Sequence, residues 1–112
     1  MHMHGANMYV LHEGAGAWDG TSIVNASNPM RRDVQMVRPG GHAVLQVDTD
    51  NPGVWPFHCH VAWHASSGFF MQLVVQPEKI KKFQIPNTVA QTCRDWSEWT
   101  KTNIPEQIDS GP

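Results

Sequence analysis

The stretch that decides how this chain is read is Trp55-Pro56-Phe57-His58-Cys59-His60-Val61-Ala62-Trp63-His64-Ala65-Ser66-Ser67-Gly68-Phe69. In an extended strand successive side chains alternate between two faces. His58 and His60 therefore point one way and the Cys59 sulfur the other. Met1-His2-Met3-His4-Gly5 repeats the same spacing, so His2 and His4 also share a face. Two such pairs in a small β-domain can converge on one imidazole-rich site while Cys59 faces a separate one. His64, five residues beyond Cys59, can swing back beside its sulfur.

Working outward, the flanking segments read as strands separated by turns. Val54 to His60 reads as a strand running into a ligand loop, and Phe69 to Val75 as a β-rich core strand. Ala43 to Val47 and Met8 to Leu11 read as further strands, and Arg32 to Val37 alternates polar with apolar. Pro39-Gly40-Gly41 and the cluster from Asp48 to Gly53 supply turns. Glu13 to Pro29, rich in Gly, Asn and Ser, reads as a long surface loop holding the glycosylation sequon Asn25-Ala26-Ser27. No helical period runs through residue 76, which predicts an all-β sandwich or barrel. Beyond it, Pro77 to Ile80 can form a helical turn, and a helix from Asn87 or Thr88 to about Thr100 is expected. Val89, Cys93 and Trp96 fall on one face of that helix, which is expected to dock on something. Pro105 to Pro112 reads as an extended tail. The expected division is residues 1–76 as the β part and residues 77–112 as a helical extension with its tail.

Composition narrows the function classes. At 112 residues, 40% apolar and 16% charged, the chain suits one packed domain and excludes intrinsic disorder. A net charge of −2 speaks against a nucleic-acid binder or a polybasic membrane anchor. No apolar run reaches membrane-spanning length. Two cysteines are too few for a disulfide scaffold. Histidine is the outlier: of seven, five lie in residues 2–4 and 58–64. His12 and His42 sit in or beside loop-like sequence and receive no role.

One thiolate with imidazole partners in a β-sandwich is the donor set of a blue-copper centre, whereas imidazoles alone suit copper, zinc, iron or nickel. Covalent neighbours of Cys59 binding other metals would give electrons a short through-bond path. A lone His-x-His is commonly a pair of satisfied surface residues, and a buried Cys is commonly a small core hydrophobe. His-Cys-His with a further His, plus a second His-x-His, is not the pattern such residues make by chance.

These residues resemble the multicopper oxidases, and within them the laccases of ascomycete-type fungi. The family's last ligand motif, His-Cys-His-x-x-x-His followed by Gly and an axial residue, stands here as His58 to Phe69. The preceding family motif, His-Pro-x-His-x-His-Gly, is matched from its x onward by Met1 to Gly5. Asn28-Pro29-Met30-Arg31-Arg32-Asp33, Asp50-Asn51-Pro52-Gly53 and Gln107-Ile108-Asp109-Ser110-Gly111 resemble laccase stretches too. The resemblance implies a cupredoxin-like Greek-key fold, here the last part of a third cupredoxin domain. It implies about four coppers per complete parent chain: one type 1, one type 2 and a binuclear type 3 pair.

Carried over, His2 becomes a type 2 ligand, His4, His58 and His60 type 3 ligands, and Cys59 and His64 type 1 ligands. Phe69 takes the axial position, which leaves the type 1 copper three-coordinate and implies a high potential; Met71 is its rival on the same strand face. Trp63, beside His64, would line a phenol pocket. The resemblance implies that Cys93 pairs with a cysteine in the first domain of the parent. It also implies secretion and a processing site at Asp109-Ser110-Gly111, with Pro112 where the family has Leu. The second type 1 His and the remaining cluster ligands would precede Met1, so the chain is expected to be a fragment, inactive alone.

The parent is thus expected to be a laccase-like oxidase. It would take single electrons from phenols or aromatic amines and reduce dioxygen to water. Rival readings are a multicopper oxidase acting on metal ions or pigment precursors, a small electron-carrying cupredoxin, and a non-catalytic zinc-binding fold.

Overall fold

A computed structural model describes residues 1–24 and 26–103. Alternating apolar residues broken by Gly, Pro and Asn produce six strands, and three helices follow or interrupt them. In chain order they are β1 (His2–Met3), β2 (Met8–Ala15), β3 (Met30–Arg32), β4 (Gly41–Val47), β5 (Gly53–His58), α1 (Ala62–Ser66), β6 (Phe70–Val75), α2 (Pro77–Ile80) and α3 (Asn87–Asn103). The strands form two three-stranded sheets, ordered β1-β5-β6 and β3-β2-β4. Every pairing is antiparallel.

The chain just past β3 runs along β1 and joins the two sheets. His2 bridges to Val34. Met3 N–H donates to Asp33 O at 2.9 Å, and Gln35 N–H to Met1 O at 2.9 Å. Met3 and Met8, at 1% and 0% exposure, with Val75 are the buried apolar residues, and buried Gln35 and His58 accompany them. Flexible thioethers suit such an irregular seam between sheets.

Pro56 lies within the central strand β5, where a missing N–H is usually unfavourable. Its carbonyl accepts from His4 N–H at 2.9 Å, so its ring nitrogen faces the same side, beyond the last β1 pair, Met3 with Phe57. Pro56 cannot return the reciprocal bond to His4 O, and the regular β1 pairing ends one residue earlier, at Met3.

Several boundaries differ from the sequence reading. β2 continues to Ala15 rather than giving way to loop at Glu13, because β4 pairs with it as far as Ala15 opposite Gly41. β3 is confined to Met30–Arg32, and the alternating residues after it follow the edge of β1 instead. The five-residue helix α1 was not expected at all. By contrast β4, β5, β6, α2 and α3 lie within a few residues of expectation.

The helix α3 has no buried residue, and Val89, Cys93 and Trp96 are all exposed on it. The chain's Cα radius of gyration is 17.7 Å, against about 13 Å for a compact domain of this length. No described helix is long and apolar enough to cross a membrane. Asn25 and the expected tail Pro105 to Pro112, with its processing site, lie outside the described residues.

Candidate metal centre

β1 lies antiparallel to β5 with His2 opposite His58, which sets the two His-x-His pairs side by side. The His2 ring centroid stands 4.6 Å from His4, 5.4 Å from His58 and 5.6 Å from His60. His2, His4 and His58 each offer a donor nitrogen, all within 4.8 Å of one another. At metal–nitrogen bonds of about 2.0–2.1 Å, two nitrogens on one ion stand at most roughly 4 Å apart. Such a spread suits a slightly contracted single site or two adjacent ions.

The tautomers follow from the hydrogen bonds. His2 Nδ1–H donates to Asp33 O at 3.0 Å, and His58 Nδ1–H to Cys59 O at 3.0 Å. A neutral imidazole carries one proton, so both Nε2 atoms are left as bare lone pairs. His58 Nε2 stands 3.1 Å from His4 Nε2, which must then be the donor in that contact. Backbone carbonyls holding the distal N–H are the usual orienting partners of metal-ligating histidines. Desolvation, with the imidazoles of His2, His58 and His60 adding repulsion, lowers the pKa of His4. The shift favours the neutral ring, the form that binds a metal.

His58 is 1% exposed and stacks on Phe70, its β6 partner, with centroids 5.5 Å apart. The other face of the motif belongs to Cys59. Its Sγ lies 3.3 Å from His64 Nδ1, against roughly 3.5 Å for a thiolate and an imidazole sharing one ion at about 2.3 and 2.0 Å. The unexpected α1 brings this about. A turn of helix from Val61 carries His64 back beside Cys59, with His64 N–H bonded to Val61 O at 3.0 Å. Phe69 then ties both residues, since its carbonyl accepts from Cys59 N–H at 3.1 Å and its N–H donates to His64 O at 2.9 Å. Phe69 and Trp63 are exposed, at 57% and 72%. Cys59 and Cys93 are both free thiols.

Two contributors went unnoticed in the sequence. Asp33 acts through its backbone carbonyl, which no side-chain motif signals. Trp55 lies against Gly5 and Gly53, so closely that a side-chain carbon at Gly5, itself at φ 74°, would overlap the indole. The indole N–H donates to Asn51 O at 2.9 Å, and the Asn51 amide donates to Gly5 O at 2.8 Å. This latch holds the residue after His4 onto β5. Gly5→Ala is expected to cost about 1–2 kcal/mol from its left-handed backbone alone, with the steric overlap adding to it. A copper assay and a melting curve of the parent carrying this change should show copper loss with the destabilisation. Full copper content at unchanged stability would contradict the latch.

Antiparallel sheets with imidazoles gathered across one strand pair, and a thiol beside an imidazole in the next loop, define a cupredoxin-like β-domain. The profile of the family described as multicopper oxidase matches residues 1–79. The chain belongs to the multicopper oxidase family, and membership implies copper as cofactor. Laccase-1 of Botryotinia fuckeliana is 41% identical over 99% of this chain and 20% of its own length. Dihydrogeodin oxidase of Aspergillus terreus is 36% identical over 99% of this chain and 20% of its own length. The crystal structure of a laccase from Botrytis aclada superposes with a TM-score of 0.74 at 32% identity, over 99% of this chain and 21% of that one. The chain spans about a fifth of the length of the curated relatives it matches.

Proposed function

We propose that this chain supplies the last copper ligands of a laccase-like oxidase, one that oxidises phenols or aromatic amines and reduces dioxygen to water. The observation that carries the reading is the division of donors at one motif: His58 turns to the imidazole cluster while Cys59 turns to His64. Soft thiolate with imidazole suits a type 1 copper, and an imidazole cluster suits the type 2 and type 3 ions. In this reading His2 holds type 2 copper, His4, His58 and His60 hold the type 3 pair, and Cys59 with His64 hold type 1 copper. Bound copper supplies the one-electron redox chemistry.

The chain's own residues set the conditions for that chemistry. The peptide from His58 through Cys59 to His60 is one covalent path between the two donor groups. Backbone carbonyls fix the His2 and His58 rings with their lone pairs inward. Phe69 offers no donor atom at the axial position, which favours a high potential. Exposed Trp63, next to His64, provides an aromatic wall against which a phenol ring can stack.

The remaining ligands and the partner of Cys93 belong, in this reading, to other parts of the parent chain. Those parts would also cover the exposed face of α3, and the parent would be secreted. The β part through residue 76 then carries the ligands, and residues 77–112 anchor it. The test is dioxygen consumption by the copper-loaded parent with a simple phenol as reductant. Water as the sole product of dioxygen is expected. Hydrogen peroxide accumulating in step with phenol loss, or no phenol-dependent uptake, would sink the proposal.

A further inference from the structure

His12 and His42, which no motif claims, meet on the β3-β2-β4 sheet. Residues of β2 up to Val10 pair regularly with β4: Met8 opposite Val47 and Val10 opposite Leu45. One residue further on, the register slips, and His12 stands opposite Val44. Leu11 is thus a β-bulge, whose carbonyl is taken by Val24 N–H at 2.8 Å. A bulge of one residue reverses the facing of everything after it. Without it His12 would share the face of buried Met8; with it, His12 shares the face of Val44 and His42.

Gly14, directly opposite His42, leaves room for the meeting. A side-chain carbon there would lie 3.1 Å from His42 Cε1 and 3.6 Å from His12 Cε1. The rings converge over that gap, their planes within 7° and centroids 5.0 Å apart. His42 Nδ1–H donates to Gly16 O at 2.8 Å. Its Nε2 is therefore a bare lone pair, and it lies 2.9 Å from His12 Nδ1. The same arrangement orients His2 and His58: distal N–H on a backbone carbonyl, lone pair toward another imidazole.

We propose that His12 and His42 form a two-imidazole clip for a borderline divalent transition ion, with Zn²⁺ as the probe that tests it. Two imidazoles on one tetrahedral zinc, with bonds of about 2.0–2.1 Å, place their nitrogens roughly 3.3 Å apart. From the observed 2.9 Å the nitrogens must open by about 0.4 Å, both rings must turn so that their lone pairs meet at one point, and His12 must move its proton from Nδ1 to Nε2. Both residues are half-buried, and a cavity of 260 Å³ that His42 and Gly14 line, though His12 does not, leaves space for waters on the His42 side of the pair. Glu13 and Arg38 line that cavity with opposite charges, and the Glu13 carboxylate accepts from the Gln35 amide at 2.5 Å. The proposal does not depend on the copper reading, and either can fail alone.

The test is calorimetric titration of Zn²⁺ into the copper-loaded parent, its His12→Gln variant and its His42→Gln variant. The parent should take up one zinc equivalent that both variants lose, while copper content and visible spectrum stay the same in all three. Equal zinc uptake by parent and variants, or no uptake by the parent, overturns the clip. A second measurement needs no variant. Zinc should protect His12 and His42 from acylation by diethyl pyrocarbonate, read by peptide mass mapping. Equal modification with and without zinc also overturns it.

Discussion

Cys59→Ser in the copper-loaded parent abolishes the blue colour and the phenol oxidation together, the latter by roughly three orders of magnitude or more, about 4 kcal/mol of barrier. A serine hydroxyl is a hard, protonated group where the proposed type 1 site needs a soft thiolate. The change is otherwise small. Only one atom differs, and the backbone bond from residue 59 to Phe69 O is untouched. The fold should therefore survive, and a melting curve checks that it does. The absorption spectrum and the rate of phenol loss are the readouts. Colour that persists in the variant would remove Cys59 from the type 1 site.

His58→Gln is expected to separate what Cys59→Ser abolishes at once. His58 is 1% exposed, stacked on Phe70, and bonded at both ring nitrogens, to Cys59 O and to His4. Disturbing a buried hydrogen-bonded group of this kind costs about 1–3 kcal/mol, so the variant should melt lower. In the proposed reading it also removes a type 3 ligand and leaves Cys59 with His64 intact. Dioxygen uptake should then collapse while the blue band remains and can still be bleached by a phenol. Uptake at the parental rate would show that His58 is a core histidine and no ligand.

Much of the candidate site could be read from spacing because its chemistry is local. His58, Cys59 and His60 alternate on one strand, and His2 with His4 on another, so a period of two already separates the donors. The pairing of His2 opposite His58 is what turns two motifs into one cluster; the resemblance implied a shared cluster, and the register came only with the fold. The helix α3 was legible for a similar reason, as seventeen residues give a periodic pattern room to show.

What escaped the sequence is non-local or too short to carry a period. The five residues of α1 span little more than one turn, and they sit inside a motif already read as loop. Asp33 contributes a carbonyl, which any residue would possess. Trp55 acts through the absence of side chains at Gly5 and Gly53, visible only once three segments meet. His12 and His42 looked incidental because they lie in or beside loop-like sequence, and plain alternation along β2 would set His12 on the face of buried Met8, away from His42. Only the bulge at Leu11 turns it toward His42.

The most direct measurement of the central claim is metal analysis of the parent chain, purified after expression with copper, together with its visible spectrum. The account predicts about four coppers per chain and an intense thiolate-to-copper band. One copper with the same band would indicate an electron carrier, and a colourless protein holding zinc would contradict the copper assignment altogether.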